Sequence, residues 1–594
     1  MWLRCLIISV ACVLFALGFY AVEHRLRKRS RANILYIMMA GVFAATFVLF
    51  LPVYSAKMTH TVWGYAAAVF MSLFSAVRIF SGGCKISDVQ GALAGCADRL
   101  GDVYTLWASI LFVVALFLTV GFVLSFFKNI SAYLKYIGLK NRDIYVFSQL
   151  NSRSLALARD IRANHEKAGI VFTDAYRGSK ENAEKWTARA ATIGAVCFKK
   201  PILAVNFKKH NKNKTLYLFT IGEDEMENVD LALRLIDGYK TRAHTNLYVF
   251  SQKLESELLL TAVDKGVLKV RRINEVQSLV NRILFEQGQV LFESAREVPG
   301  SDKHICAVVV GLGNRGTEML KALTWFGQMD GYRLELHGFD KDPLAKEKFT
   351  VMAPELMDEK YNGVDIPGEA RYQIEIHPGM EVQGLKFVQD ITAIADATYI
   401  FVALGNDDVN IRTAVRLRMY YARLGKHPVI QAVVYDSRRK KALEGICNYS
   451  NQAYDIQFLG DTDSSYAERV ILDSELEEQA LQRHLKWGAE AGFWTYEYNY
   501  RSSAAAAIHM RARVNCGIAG ADKKEEDLTP QEREIIESLE HRRWNAYMRS
   551  EGYVYSGSKD KSSRNDLAKM HHDLVEYEAL DDAEKRKDSR IGTN

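Results

Sequence analysis

The stretch "HICAVVVGLGNRGTEMLKAL", His304 to Leu323, decides how the soluble part of this chain is read. Ile305 to Val310 is an unbroken apolar run, the pattern of a strand buried on both faces. Gly311, Gly313 and Gly316 follow in G-x-G-x-x-G order, and the apolar residues then resume at helical spacing. Between a strand and a helix, each glycine has a physical role. Gly311 allows the tight turn, Gly313 lets backbone approach a pyrophosphate, and Gly316 lets helix and sheet pack closely. Phosphate would rest on the N–H groups that open the helix at Asn314 and Arg315.

The next strand, "YRLELHGFD", ends at Asp340, placed to accept from a ribose hydroxyl. Asp340 lies 29 residues past Gly311. That is later than the usual spacing of about 20 residues, and the long loop "TWFGQMDG" supplies the difference. "TYIFVALGND", "PVIQAVVYD" and "YDIQFLGD" read as further strands. Gly405 and Asn406 end the first of them, on the carboxyl edge where open sheets bind ligands, although an ordinary Gly–Asn turn has the same sequence. His337 stands alone on its strand and is read as core or edge. No tyrosine–lysine pair or carboxylate–histidine arrangement is recognisable beside the loop. It is therefore read as a cradle for NAD(H) or another nucleotide, without catalytic residues and without a metal.

The same alternation occurs upstream. "DIYVFSQL", "GIVFTD", "IGAVCF", "TLYLFTI" and "TNLYVFS" read as buried strands separated by helical segments. Here the first turn is "SQLNSRS", Ser148 to Ser154, without glycine, so nucleotide binding is not expected at this copy. The predicted soluble part thus holds two Rossmann-like α/β domains, over 141–300 and 301–475.

The amino-terminal part is apolar. Spans are expected at about 2–22, 32–53 and 104–127. A further apolar segment at 61–80, within "TVWGYAAAVFMSLFSAVRIFSGG", is expected to dip into the membrane and return. The basic run "HRLRKRSR", His24 to Arg31, and the basic stretch after Lys128 are both best placed inside, which favours three crossings over four. This 1–140 region has the outline of a pore, but "FSGGCK" lacks a TVGYG-like filter. A plain anchor remains the alternative.

The 594 residues carry 77 basic and 71 acidic side chains, a net charge of +6. So small an excess does not point to DNA or RNA as partners. The cysteines show neither a CxxC pair nor zinc-site spacing, and only Cys84 and Cys96 are kept as a candidate disulfide pair.

A helical connector is expected over 476–525, with a helix from Ser502 to Arg511 that docks the last domain on the second α/β domain. "LTPQEREIIESLEHRRWNAYMRSEGYVYSG" then opens a small, mainly helical domain over 526–594, with Thr529 as cap and Pro530 at the first helical position. His571 and His572 invite a metal, but no third partner is indicated.

Both α/β domains resemble RCK domains, also called TrkA-N domains, on "DIYVFSQLNSRSLALARDI" and "AVVVGLGNRGTEMLKAL". That resemblance implies assembly into a dimer or tetramer-like ring and ligand-driven gating of ion transport, potassium transport included. "EHRRWNAYMRSEGYVYSG" and "HHDLVEYEALDDAEKRKD" resemble the two halves of a RyR domain, named after ryanodine receptors. There the resemblance implies a second ligand surface at Glu540, Arg543, Trp544, Tyr553, Tyr555, Leu574, Tyr577 and Lys587. Aromatic rings beside arginine suit a planar, phosphorylated ligand, while a core role for Trp544 stands as the alternative.

Together these features lead to the expectation of a multi-pass protein of a bacterial inner membrane. Its cytoplasmic domains would sense a nucleotide and gate an ion channel or channel-like effector, in antiviral defence if the RyR resemblance extends to role. Two alternatives stand beside this non-enzymatic reading: a membrane-anchored nucleotide-dependent oxidoreductase and a non-conducting scaffold.

Overall fold

The computed structural model describes residues 2–26, 31–83, 87, 98–363, 371–472 and 474–593. The chain divides into an apolar unit, Met1–Gly138, and a larger α/β unit, Leu139–Asn594.

In the first unit the helices Trp2–Leu26, Arg31–Lys57, Val62–Arg78 and Asp98–Ile137 are described. Ile37–Lys57, Val62–Ser81 and Gly101–Val120 are each long and apolar enough to cross a bilayer, and Cys5–Gly18 is a shorter apolar stretch. Leu49, Phe50, Ala68, Tyr104 and Leu111 share an interior, while Phe15, Trp63, Phe70 and Phe117 face outward and exposed. Apolar rings on the outside and helical backbone bonds within suit a lipid solvent, so this is a multi-pass membrane protein.

The segment expected to dip and return is an unbroken helix. Thr61 caps it by accepting from the Gly64 N–H at 3.2 Å, and one 3-10 turn extends it through Ser81. It carries no charge or proline before Arg78 to interrupt it. The third expected span is part of a longer helix, Asp98–Ile137, which continues through the basic stretch. Cys84, Cys96 and Arg27–Ser30 of the first basic run lie outside the described residues.

The second unit holds two six-stranded sheets. β1 (Ile144–Phe147), β2 (Gly169–Phe172), β3 (Val196–Cys197), β4 (Leu216–Thr220), β5 (Thr245–Phe250) and β6 (Lys269–Ile273) take the order β3-β2-β1-β4-β5-β6. β7 (Lys303–Val310), β8 (Tyr332–Phe339), β9 (Tyr372–His377), β10 (Tyr399–Val402), β11 (Val429–Val433) and β12 (Ile456–Leu459) take the order β12-β11-β10-β7-β8-β9. The pairings within both sheets are parallel. Strand order reverses beside β1 in one sheet and beside β7 in the other. Those are the switch points where such sheets bind ligands.

Local chemistry fixes the helix starts. Asn151, Asp224, Asn274, Asn406 and Asp436 each accept backbone N–H bonds from the first turn that follows them. One face of the second sheet, including Ile305, Val309, Leu336 and Ile374, shares a core with Leu323 and Phe326. The other face, including Val308, Ile400 and Ile430, is covered by Phe387, Leu417 and Tyr421.

Two segments cross the expected boundaries. Tyr466 and Ile471, which follow β12, pack into the core of the first sheet, and the Tyr466 ring lies 6.1 Å from that of Phe250. The connector helix is longer than expected, Glu497–Asn515, and His509 Nε2 donates to the Gln328 carbonyl at 2.6 Å. The Pro530–Ser550 helix enters the same core as the second sheet through Leu539, Tyr547 and Met548. Beyond it lie β13 (Val554–Tyr555), β14 (Met570–His571) and the helix Asp582–Gly592. The carboxyl-terminal region is therefore mainly helical and built onto the second sheet.

Candidate functional site

The loop after β7 is shaped by its glycines. Gly311 has φ +93°, and a Cβ there would lie 2.8 Å from the Ala403 carbonyl oxygen. A Cβ on Gly316 would lie 1.7 Å from the Gly311 oxygen, whereas one on Gly313 would meet nothing within 4 Å. Sterics thus demand glycine at 311 and 316. At 313 they leave free space above the start of the Asn314–Phe326 helix, where exposed N–H groups favour an anion.

Asp340 closes this loop from the end of β8. Its Oδ2 accepts from the Leu312 N–H at 2.6 Å and its Oδ1 from the Asp342 N–H at 2.7 Å. The carboxylate is fixed beside the loop with lone pairs to spare for a hydroxyl. These residues fit a nucleotide: a Cβ-free approach, a helix amino terminus and an oriented carboxylate.

Asn314 and Arg315 turn toward the rest of the unit. Asn314 Nδ2 donates to Gln252 Oε1 at 3.3 Å, linking the loop to the edge of the first sheet. Arg315 Nη1 donates to the Tyr435 hydroxyl at 2.7 Å, and its guanidinium carbon lies 4.6 Å from the Tyr435 ring centre. Burial raises the Tyr435 phenol above its ordinary value, although Arg315 opposes the shift. Tyr435 follows β11 and was not singled out in the sequence, where a lone tyrosine after a strand carries no mark. A cavity of about 240 Å³ opens here between the two sheets, lined among others by Arg153, Glu275, Arg282, Arg315, Tyr435 and Thr462.

Gly405 adopts φ +79° with open space around it, and Asn406 Oδ1 accepts from the Asp408 and Val409 N–H groups at 2.9 and 3.2 Å. Asn406 is thus a helix cap at the switch point. Four residues on, buried Asn410 accepts from the Leu404 N–H and donates to the Val433 carbonyl. Asn228 does the same in the first sheet, accepting from the Gly222 N–H and donating to the Phe250 carbonyl. "ENVDLALRL" and "VNIRTAVRL" hold these two asparagines in register, a repeat legible in the sequence. In the glycine-free loop of the first sheet, Ser148 Oγ accepts from the Ile221 N–H at 2.9 Å and Asn151 caps its own helix. Ser148 and Asn151 are thus spent on neighbouring backbone, and Arg153 pairs with Glu275.

The carboxyl-terminal candidates separate into two groups. Glu540 and Arg543 are 1% exposed, Glu540 is paired with both Arg513 and Arg543, and Tyr553 is buried. Trp544, Tyr555 and Tyr577 are half-buried and Lys587 is exposed. Trp544 stacks on His541 at 5.8 Å and meets His571 edge-on at 4.9 Å, Tyr577 donates to Glu537 at 2.8 Å, and Lys587 pairs with Glu584.

Among the described residues, three side-chain groups could hold a metal ion: His337 with Glu375 and His377; Cys306 with Glu335 and His337; and His571 with His572 and Asp573. His337 is therefore not a lone histidine, because β9 brings His377 beside it. Asp573 supplies the third partner that the His571–His572 pair lacked in the sequence reading.

No protein-family model and no curated protein matches the chain.

Proposed function

We propose that this chain is a membrane-anchored, nucleotide-dependent oxidoreductase, with NAD(H) the first nucleotide to test on its second sheet. The observation that carries nucleotide binding is the contrast among the glycines: two are demanded by packing, and the third faces free space beside an oriented carboxylate. Gly311, Gly313, Gly316 and the N–H groups of Asn314 and Arg315 would hold the pyrophosphate, and Asp340 the ribose. When bound, such a nucleotide supplies or accepts a hydride. With the pyrophosphate at the switch point, the nicotinamide half would lie on the β10–β11 side, near Gly405 and Asn406. Support for redox use comes from Tyr435, which ends that side with its hydroxyl held by Arg315 beside a cavity. A phenol oriented this way can give a proton to a substrate oxygen. The arginines lining the cavity favour an anionic substrate.

The resemblance to RCK and RyR domains favours a second reading: a nucleotide-sensing channel-like effector, with the soluble domains cytoplasmic and subunits assembled through them. Its specific support is the Val62–Arg78 helix, closed by a glycine turn at Gly82–Gly83 between two longer apolar helices. In that reading the domains divide near 141, 301, 476 and 526, and the RyR-like surface around Trp544 is a further ligand contact.

One preparation tests both. Full-length protein in liposomes is titrated with NAD, NADH and ATP, and both NADH oxidation with an artificial electron acceptor and ion flux are followed, in wild type and in Gly313→Asp. Turnover lost in Gly313→Asp supports the oxidoreductase. Nucleotide-dependent flux without turnover supports the effector. Nucleotide binding that is absent, or unchanged in Gly313→Asp, overturns both.

A further inference from the structure

We propose that β8 and β9 carry a divalent-metal site, with His337, His377 and Glu375 as ligands and zinc(II) as the ion to test first. The site lies on the sheet face opposite the Leu334–Leu336 core. His337 and Glu375 are cross-strand neighbours, and His377 follows two residues later on the same face of β9.

The three donor groups lie close together, each histidine nitrogen facing a different oxygen of the Glu375 carboxylate. His337 Nδ1 lies 3.1 Å from His377 Nε2 and 3.8 Å from Glu375 Oε2, and His377 Nε2 lies 4.0 Å from Glu375 Oε1. Ligand atoms about 2.0–2.2 Å from a tetrahedral ion stand roughly 3.3–3.6 Å apart. The observed distances bracket that separation, so small side-chain rotations bring all three into range.

The surroundings orient the ligands. His337 Nε2 lies 3.0 Å from Glu335 Oε1, which places the ring proton on Nε2 and turns the Nδ1 lone pair toward His377. His304 Nε2 lies 3.1 Å from the other Glu335 oxygen, so the orienting carboxylate is itself held. Phe339 stacks on the His377 ring at 4.3 Å and fixes its plane. His337 is buried, whereas Glu375 is 58% exposed, which leaves an approach for a fourth ligand. Two histidines and one carboxylate with an open position are a zinc donor set suited to binding water or substrate.

The His571–His572–Asp573 group is a weaker candidate, because His571 Nδ1 already accepts the Asp573 N–H at 3.1 Å. The site on β8 and β9 does not depend on the nucleotide reading, since the metal alone is its ligand.

The test is a titration of full-length protein in detergent, stripped with a chelator and dialysed. Zinc is added in competition with a chromophoric chelator, and cobalt(II) is followed by its visible absorption. Wild type is expected to take up zinc at this site and to give the intense cobalt bands of a four-coordinate ion. His377→Gln and Glu375→Gln are each expected to weaken zinc binding tenfold or more, and His572→Gln to leave it unchanged. Glu375 is exposed, so Glu375→Gln should keep the metal-free melting temperature and serve as the folded variant. The proposal is overturned if wild type binds no zinc, if Glu375→Gln and His377→Gln bind it as wild type does, or if His572→Gln abolishes it.

Discussion

A Cβ at position 316 would stand 1.7 Å from the carbonyl oxygen of Gly311, so the helix and the strand of the second sheet meet through a missing side chain. Gly316→Ala is expected to cost about 1–3 kcal/mol or more by overpacking, read as a lower midpoint in urea. Gly313→Ala, with nothing within 4 Å of its new methyl group, is expected to leave that midpoint unchanged.

Gly313→Asp brings a carboxylate to the place proposed for phosphate. Nucleotide affinity is expected to fall at least about tenfold, or ~1.4 kcal/mol, without loss of stability. Isothermal titration of NADH into the detergent-solubilised protein checks this.

Tyr435→Phe removes the hydroxyl that receives Arg315. If that phenol is the proton donor, kcat is expected to drop by about 10²–10⁴ while nucleotide affinity holds. Steady-state rates set beside direct binding isotherms separate the two.

Glu540 is buried between Arg513 and Arg543. Burial works against its charge, but the two guanidinium groups outweigh it and hold the carboxyl below its ordinary value of 4.5. Its stabilising contribution is present above pH 4.5 and is lost as pH falls through the lowered folded-state value. Glu540→Gln leaves two buried cations without their anion and is expected to cost about 3–5 kcal/mol near neutral pH. Melting temperatures of wild type and variant should converge as the pH falls below 4.5.

The unbroken Val62–Ser81 helix is expected to cross the bilayer. Single cysteines at His60 and Gly83, in a cysteine-free background, should then react with an impermeant thiol reagent from opposite sides of sealed vesicles. Labelling from the same side would restore the re-entrant arrangement.

Much of the second unit was legible because its signals are local. Glycine spacing, apolar strand runs and capping residues specify the two sheets, and Asp340 follows β8 with its carboxylate on the Leu312 N–H of the glycine loop. What escaped depends on neighbours distant in sequence. Tyr435 gains its role from Arg315, 120 residues before it, and His337 its partner from His377 on the next strand. Glu540 and Arg543 look like surface charges in "EHRRW" because their place in the core is set by Arg513 and the second sheet. For the helix at Val62, charge placement and uninterrupted length point to different topologies, and the labelling experiment separates them.

The helix whose first turn forms the cradle at Gly313 is clamped at its other end by the carboxyl-terminal region. Lys321 pairs with Glu551 at 3.4 Å, and Trp325 meets Tyr547 edge-on at 6.2 Å. Glu551 is half-buried, and although desolvation opposes its charge, Arg501 and Lys321 hold its carboxyl well below the ordinary value, so the clamp stays charged at neutral pH. One rigid rod therefore joins a candidate phosphate seat to the end of the Pro530–Ser550 helix that carries Trp544. Linkage runs both ways along it. A glycine-end ligand and a far-end ligand that each favour one position of that rod must change each other's affinity by the same factor, with no hinge or flexible tether required.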